Sequence, residues 1–271
     1  MRSKNGAVVS VCLLSLTCLL SSCNRERMRT LASPLQAVAT ILEMADGTVE
    51  AELVLISTAK PQHEFVTNAE NARLRIPGGQ MVELEQTEPG HYKANSKQNS
   101  AIVYKAGQTY QFRFDLPAPV EPQRPQRQGQ KEEQQDEQTK TYVAVTKTPD
   151  KAAEFSWDKK PEFAGDTARL SWKPRSLLAI VVVRNPKGEV CYSTFDFSDP
   201  QFGGDKWGRL GSNGALALGV DVFSEPGEYQ VLKCGVTRNS GFDPEMSADL
   251  GILSGFLAGK CEQFEALDVP Q

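Results

Sequence analysis

A chain of 271 residues, 39% hydrophobic and 24% charged, is long enough for two ordinary domains and apolar enough to fold around real cores. Its 30 basic and 34 acidic residues give a formal charge of −4, and no stretch gathers Lys and Arg into a stripe. That balance argues against nucleic-acid partners, whose phosphates must be neutralised to gain affinity.

In chain order, the first feature is a short positive region carrying Arg2 and Lys4, followed by an apolar run from Ala7 to Leu20. This is the layout of a secretory signal, and the run is short for a transmembrane helix and interrupted by Ser10, Ser15 and Thr17. The nearby Ala-x-Ala cleavage triplet, Ala37-Val38-Ala39, lies far from the run, beyond Arg25, Arg27 and Arg29. The run itself ends in Leu20-Ser21-Ser22-Cys23. That tetrapeptide resembles the lipobox of bacterial lipoproteins: an aliphatic residue, two small residues that fit a narrow peptidase subsite, and a cysteine whose thiol becomes a thioether. The resemblance implies that 1–22 is a cleaved signal peptide and that lipid on Cys23 holds the chain on the membrane of a bacterial cell envelope. An uncleaved anchor or a buried cytosolic helix accounts for the apolar run but leaves a lipobox in register unexplained. In the Gram-negative sorting scheme that the resemblance brings with it, Asn24 in place of Asp favours the outer membrane.

Loss of Arg2 and Lys4 takes the formal charge from −4 to −6. Residues 23–37 then read as a membrane-proximal tether, of which 24–33 fully extended would span roughly 35 Å. Arg25, Arg27 and Arg29 either lie on anionic headgroups, at about 1 kcal/mol each, or are simply solvated.

The rest of the chain reads as strands. Thr48–Ile56 and Met81–Glu85 mix alternation with short apolar runs between turn residues, and Tyr110–Leu116 alternates cleanly, with both Phe rings on one face. Thr141–Thr146 is a further strand. Between 117 and 140 the composition turns to Gln, Glu, Arg, Lys and Pro, which cannot bury enough surface to order itself. We read it as a disordered insertion in a first domain of residues 38–149. A second domain, 150–271, follows with Leu177–Val183, the turn Asn185-Pro186-Lys187-Gly188 and Glu189–Phe195, together a hairpin. Ser254–Gly259 reads as a buried loop before the last strand, Glu262–Leu267. No segment carries a long 3.6-residue apolar repeat, so the fold class is all-β.

Glu88-Pro89-Gly90-His91-Tyr92 recurs as Glu225-Pro226-Gly227-Glu228-Tyr229. Pro-Gly makes the turn and the Tyr is an inward anchor. This entry resembles the late strands of immunoglobulin-like and related bacterial β-sandwich modules, and implies two such domains, with Trp172 a candidate core aromatic of the second. Cys12 and Cys18 leave with the signal peptide and Cys23 is lipidated, so Cys191, Cys234 and Cys261 enter an oxidising compartment. One disulfide and one thiol is the simplest outcome of three pairings. If the strand Tyr229–Cys234 pairs with the one that Cys261 opens, Cys234–Cys261 is the bridge and Cys191 is buried.

Chemistry is sparse. His63 and His91 are the two histidines. His63-Glu64-Phe65-Val66-Thr67 begins like a zinc-protease helix but lacks the second His, and His91 should face solvent beside its turn. No catalytic residue, metal set or cofactor is assigned. The carboxylates Asp196, Asp199 and Asp205 read as a solvated loop before a calcium site, and Phe202 and Trp207 in that loop are candidate ligand-contact aromatics. The expectation is a non-enzymatic binding or structural lipoprotein with an envelope protein partner. Glycan or peptidoglycan binding and an unrecognised hydrolase are the alternatives.

Overall fold

The computed structural model describes residues 35–58, 64–117, 139–194, 211–240, 250 and 254–271. They form an all-β structure with no helix among the described residues. A ten-stranded sheet takes β1 (Leu35–Glu43), β2 (Val49–Ser57), β7 (His91–Asn95) and β6 (Glu85–Glu88) on one side. On the other side it takes β16 (Gly255–Cys261), β15 (Gly227–Ser240), β12 (Leu178–Arg184) and β13 (Val190–Ser193). The two-residue β3 (Glu64–Phe65) adds to β2, and β17 (Glu265–Val269) adds to β15. A four-stranded sheet orders β5 (Met81–Glu83), β4 (Glu70–Arg75), β8 (Thr109–Pro117) and β9 (Thr139–Lys147). A three-stranded sheet orders β10 (Glu154–Lys159), β11 (Ala168–Lys173) and β14 (Ala215–Leu218).

The large sheet joins the two halves of the chain because β1 runs parallel to β16, from Val38 opposite Gly255 to Glu43 opposite Lys260. β1 is also antiparallel to β2 along its whole length. Such a central strand is covered on both faces, which is why Leu-Gln-Ala-Val-Ala-Thr-Ile shows no alternation. β8 is the opposite case: Tyr110, Phe112, Phe114 and Leu116 are buried while the residues between them face out, as the sequence alternation requires.

Three apolar clusters follow. In the first, Ala39, Ile41, Leu53 and Leu55 of the large sheet meet Leu74, Phe112 and Phe114 of the four-stranded sheet. In the second, Leu170 and Trp172 of the three-stranded sheet meet Ala179, Val181, Tyr229 and Val231. Alternation along β1 and β15 puts the third on the other face of the large sheet, with Val38, Val54, Ile180, Val236 and Leu257 around Cys234 and Cys261. The first cluster also contains Leu250, Phe256 and Ala258, so residues beyond 150 help to build the core of the amino-terminal half.

The four-stranded sheet is fastened to β15 and β16 by side chains. Asn239 Nδ2 donates to the Val145 carbonyl at 3.0 Å, Thr237 Oγ1 donates to the Lys147 carbonyl, and Thr146 Oγ1 donates to the Phe256 carbonyl at 3.4 Å. The carboxy-terminal end of the β9 edge is thereby covered, and its Val145 and Lys147 carbonyls are satisfied.

Several sequence expectations change. Met81–Glu85 is not one strand: the chain leaves the four-stranded sheet after β5 and crosses at the buried Leu84 to become β6 of the large sheet. Of Ser254–Gly259, read as a loop, Gly255–Gly259 form most of β16, where Gly and Ala fit between β1 and β15. Leu35–Ala37, read as the end of the tether, already belong to β1. Pro117, Thr139 and Lys140, read as ends of the Gln-rich insertion, lie in β8 and β9, and 118–138 falls outside the described residues. The hairpin of β12 and β13 and the inward Tyr92 and Tyr229 stand where the sequence placed them, as does the buried Trp172.

Gly259 shows how tightly β15 and β16 approach. A Cβ there would collide with the Gly235 carbonyl oxygen and stand 2.7 Å from Val236 Cγ1. Backbone cannot give way as a flexible side chain would. Gly259→Ala should therefore lower the urea midpoint by the equivalent of about 1–3 kcal/mol, with an unchanged m-value showing that the native fold is retained.

Candidate functional site

Where β16 turns into β17, the chain brings a dense group of charges together. β15 carries Lys233 inward, only 5% exposed. Its ammonium meets Glu262 Oε2 at 2.9 Å and Glu265 Oε2 at 2.7 Å. Glu265 also accepts from Trp157 Nε1 of β10 at 2.9 Å and from Lys160 Nζ at 3.1 Å. The Phe155 ring centroid stands 5.9 Å from Lys233 Nζ. One residue along from Lys233, Cys234 is disulfide-bonded to Cys261, its register partner on β16.

Burial alone would raise the Glu265 pKa, but hydrogen bonds from Lys233, Trp157 and Lys160 outweigh it and hold the carboxyl at about 2. Burial would lower the Lys233 pKa, and its two carboxylate partners reverse that, so it is raised. Each charge has a partner of opposite sign, the condition under which a buried ion is tolerated. The turn that supplies Glu262 also lines two adjoining cavities. One, of about 440 Å³, is bounded by Ala45, Ala152, Ala153, Lys260 and Cys261, and the other, of about 250 Å³, by Met44, Asp46, Lys97, Leu232 and Phe264. Ala45, Glu262 and Gln263 belong to both. Together they form a groove along the seam between the two halves. Phe264, 41% exposed, stands at its rim under the Arg184 guanidinium, 5.1 Å from the ring centroid.

A second cluster forms on β2 and β7. His91 is 5% exposed, not solvent-facing as its place beside the Pro-Gly turn suggested. The reason is β3, which pairs with β2 and lays the Phe65 ring edge-on to the imidazole at 4.9 Å. His91 Nδ1 lies 2.9 Å from Glu52 Oε1, and Lys93 Nζ reaches the same oxygen at 3.2 Å. Burial works to raise the Glu52 pKa, but the His91 hydrogen bond and the Lys93 charge leave it lowered.

Neither cluster sets a general base against a nucleophile, the arrangement that activates an attacking group. Among the described residues no group of three His, Cys, Asp or Glu side chains is placed to hold a metal ion. Cys191, expected to be buried, is exposed. It lies on the edge strand β13 where the register with β12 shifts, and its Sγ stands 3.5 Å from the Val183 and Val222 carbonyls. Cys23, His63, the carboxylates Asp196, Asp199 and Asp205, and the aromatics Phe202 and Trp207 lie outside the described residues. Sequence reading missed the Lys233 cluster, since Trp157, Lys233 and Glu265 meet only once β10, β15 and β17 are assembled. Lys233 did carry one sign of it, a cation among Val231, Leu232 and Cys234 on a strand with few other charges.

No family model matches this chain, and no curated protein matches it. Among solved structures it is similar to Salmonella alpha-2-macroglobulin reacted with methylamine, at 12% identity and a TM-score of 0.21. That match covers 85% of this chain and 15% of the other. A point mutant of the same Salmonella protein matches at 11% identity and a TM-score of 0.20, with the same coverage. The chain thus spans about 15% of the length of these structures, and a likeness at that score carries no argument about this protein.

The Lys233 cluster has a pH signature. A carboxyl held at about 2 when folded and near 4.3 when unfolded contributes stability above pH ~4.3 that is lost as pH falls towards 2. Glu265→Gln should remove that part of the slope, so that acid titrations of unfolding run flatter for the variant between about pH 4.3 and 2. Lys233→Met removes the cation that Glu262 and Glu265 share and leaves Glu265 to Lys160 and Trp157, and should cost about 1–3 kcal/mol at neutral pH, read by chemical denaturation.

Proposed function

We propose that this chain is a lipid-anchored module of the bacterial cell envelope that binds or holds a protein partner without catalysing a reaction. The observation that carries the reading is Leu20-Ser21-Ser22-Cys23 at the end of a charged-then-apolar leader. On this reading residues 1–22 are removed and Cys23 takes the lipid. The body beyond it comprises two immunoglobulin-like β-sandwich modules that share a sheet, and Asn24 directs it to the outer membrane of a Gram-negative host.

Two features of the body support a presenting rather than a transforming role. Two ionisable clusters among the described residues are closed sets: Lys233 with Glu262 and Glu265, and Glu52 with His91 and Lys93. Groups committed to one another hold strands together and are poorly placed to exchange protons with a substrate. The seam groove, with Phe264, Leu232 and Met44 beside Asp46 and Lys97, offers apolar surface edged by charge, the make-up of a protein-recognition patch.

The test is acylation and capture in intact cells. The full chain should incorporate labelled palmitate and fractionate with membrane, and Cys23→Ala should abolish both. Retention of label by Cys23→Ala would sink the lipoprotein reading. Cross-linking followed by mass spectrometry should then recover one envelope protein reproducibly with the anchored chain, and turnover of a substrate by the purified chain would remove the non-enzymatic assignment.

A further inference from the structure

The outer face of the four-stranded sheet holds an arrangement that its own side chains leave electrostatically open. Arg73 of β4 stands directly across from Arg113 of β8 on one side and from Glu83 of β5 on the other. Their neighbours Leu74, Phe112 and Phe114 are fully buried, so strand alternation turns Arg73, Arg75 and Arg113 outward. Directly opposed residues hold their Cβ atoms roughly 5 Å apart, and like charges so placed repel.

The surrounding carboxylates among the described residues do not cancel this. Arg73 Nη2 reaches Glu83 Oε1 at 3.4 Å, but that carboxylate is 82% exposed and screened by solvent. Asp115, two residues beyond Arg113, has its oxygens engaged by neutral donors: Asn71 Nδ2 at 2.8 Å and Thr141 Oγ1 at 2.6 Å. Glu70 stands across from Asp115 rather than from an arginine, and Lys147 is matched by Asp150 at 3.9 Å. Arg113 has no ion pair among the described residues. Arg75, diagonal to Arg113, leans over the β4–β5 turn, where its Nη2 lies 3.7 Å from the place a Cβ on Gly79 would occupy.

We propose that this face binds phosphate groups, with one phosphate seated between Arg73 and Arg113 and Arg75 extending the contact to a neighbouring one. A guanidinium fork matches phosphate oxygens bidentately, which an ammonium cannot do, and an anion between two opposed guanidinium groups converts a repulsion into two attractions. The ligand chemistry is a row of anionic phosphate groups, as in a layer of lipid headgroups or a free phosphate polymer. The site shares no residue with the seam groove and does not require acylation of Cys23, so it stands or falls independently of the anchored-module reading.

The test uses the full chain in nonionic detergent micelles, with inorganic polyphosphate as the probe. Native protein should bind it, and Arg113→Gln should bind about tenfold more weakly, with Arg113→Lys between them because it keeps the charge and loses the fork. Thermal unfolding at matched ionic strength supplies a second readout. Phosphate should raise the native midpoint over chloride by more than it raises that of Arg113→Gln, which in chloride should melt at or above the native value. Repeating the titration with phosphatidylglycerol in the micelles separates the sources: suppressed polyphosphate binding assigns the face to headgroups, and undiminished binding assigns it to a free polymer. Equal affinity of native and Arg113→Gln chains for polyphosphate, or no binding by the native chain, overturns the proposal.

Discussion

Fourteen consecutive residues of β15, Gly227 to Ser240, carry the constraint on which the rest of this structure depends. At its start the strand pairs with β17, through its middle with β12, and at its end with β16. Because β16 in turn lies parallel to β1, the backbone hydrogen bonds of β15 fix the carboxy-terminal half against the amino-terminal half in one register. Side chains extend the same control beyond the sheet. Tyr229 and Val231 anchor the second core, and Thr237 and Asn239 satisfy carbonyls of β9 that an open edge would leave to water or to another chain.

That continuity explains why the buried charges sit where they do. The β16–β17 turn must pass close to β15 for both strands to pair with it, and Glu262 and Glu265 are thereby delivered to Lys233. A lone ammonium at that depth would be expensive. With two carboxylates, and with Trp157 and Lys160 binding Glu265 in turn, the charge instead ties β10, β15 and β17 together. The Cys234–Cys261 bridge lies beside it on the other face of β15. It closes a separation of 27 residues, which by loop-closure reasoning restricts the unfolded chain by about 3–4 kcal/mol. An ion cluster on one face and a covalent link on the other hold the same junction of strands.

The surfaces this leaves are of two kinds. The seam groove is a product of the junction: its walls are turns, at 44–48 and 262–264, drawn together because β1 and β16 are neighbours. The arginine face has nothing to do with the junction and arises on the far side of the four-stranded sheet, where alternation places three guanidinium groups over a fully apolar inner layer. A rigid inner layer matters for such a face, since it holds Arg73 and Arg113 opposite each other whether or not an anion is present.

What could be read from the sequence follows from local physics. Alternation in Tyr110–Leu116, the Pro-Gly turns before Tyr92 and Tyr229, and the apolar–turn–apolar pattern around Asn185–Gly188 are set by side-chain period and turn stereochemistry, and each stands in the structure. The charged-then-apolar run that ends in Leu20-Ser21-Ser22-Cys23 is likewise a local pattern of the sequence. The chain by itself therefore determined an all-β class and the β12–β13 hairpin. Tertiary structure alone decided that Gly255–Gly259 would belong to a central strand, that Met81–Glu85 would divide between two sheets, and that His91 would be covered by Phe65. It also decided that Lys233 would meet Glu265, and Arg73 would face Arg113. These outcomes depend on partners distant in sequence, and no local period records which strand will lie beside which. Burial, charge pairing and repulsion acquire their values only when that order is set.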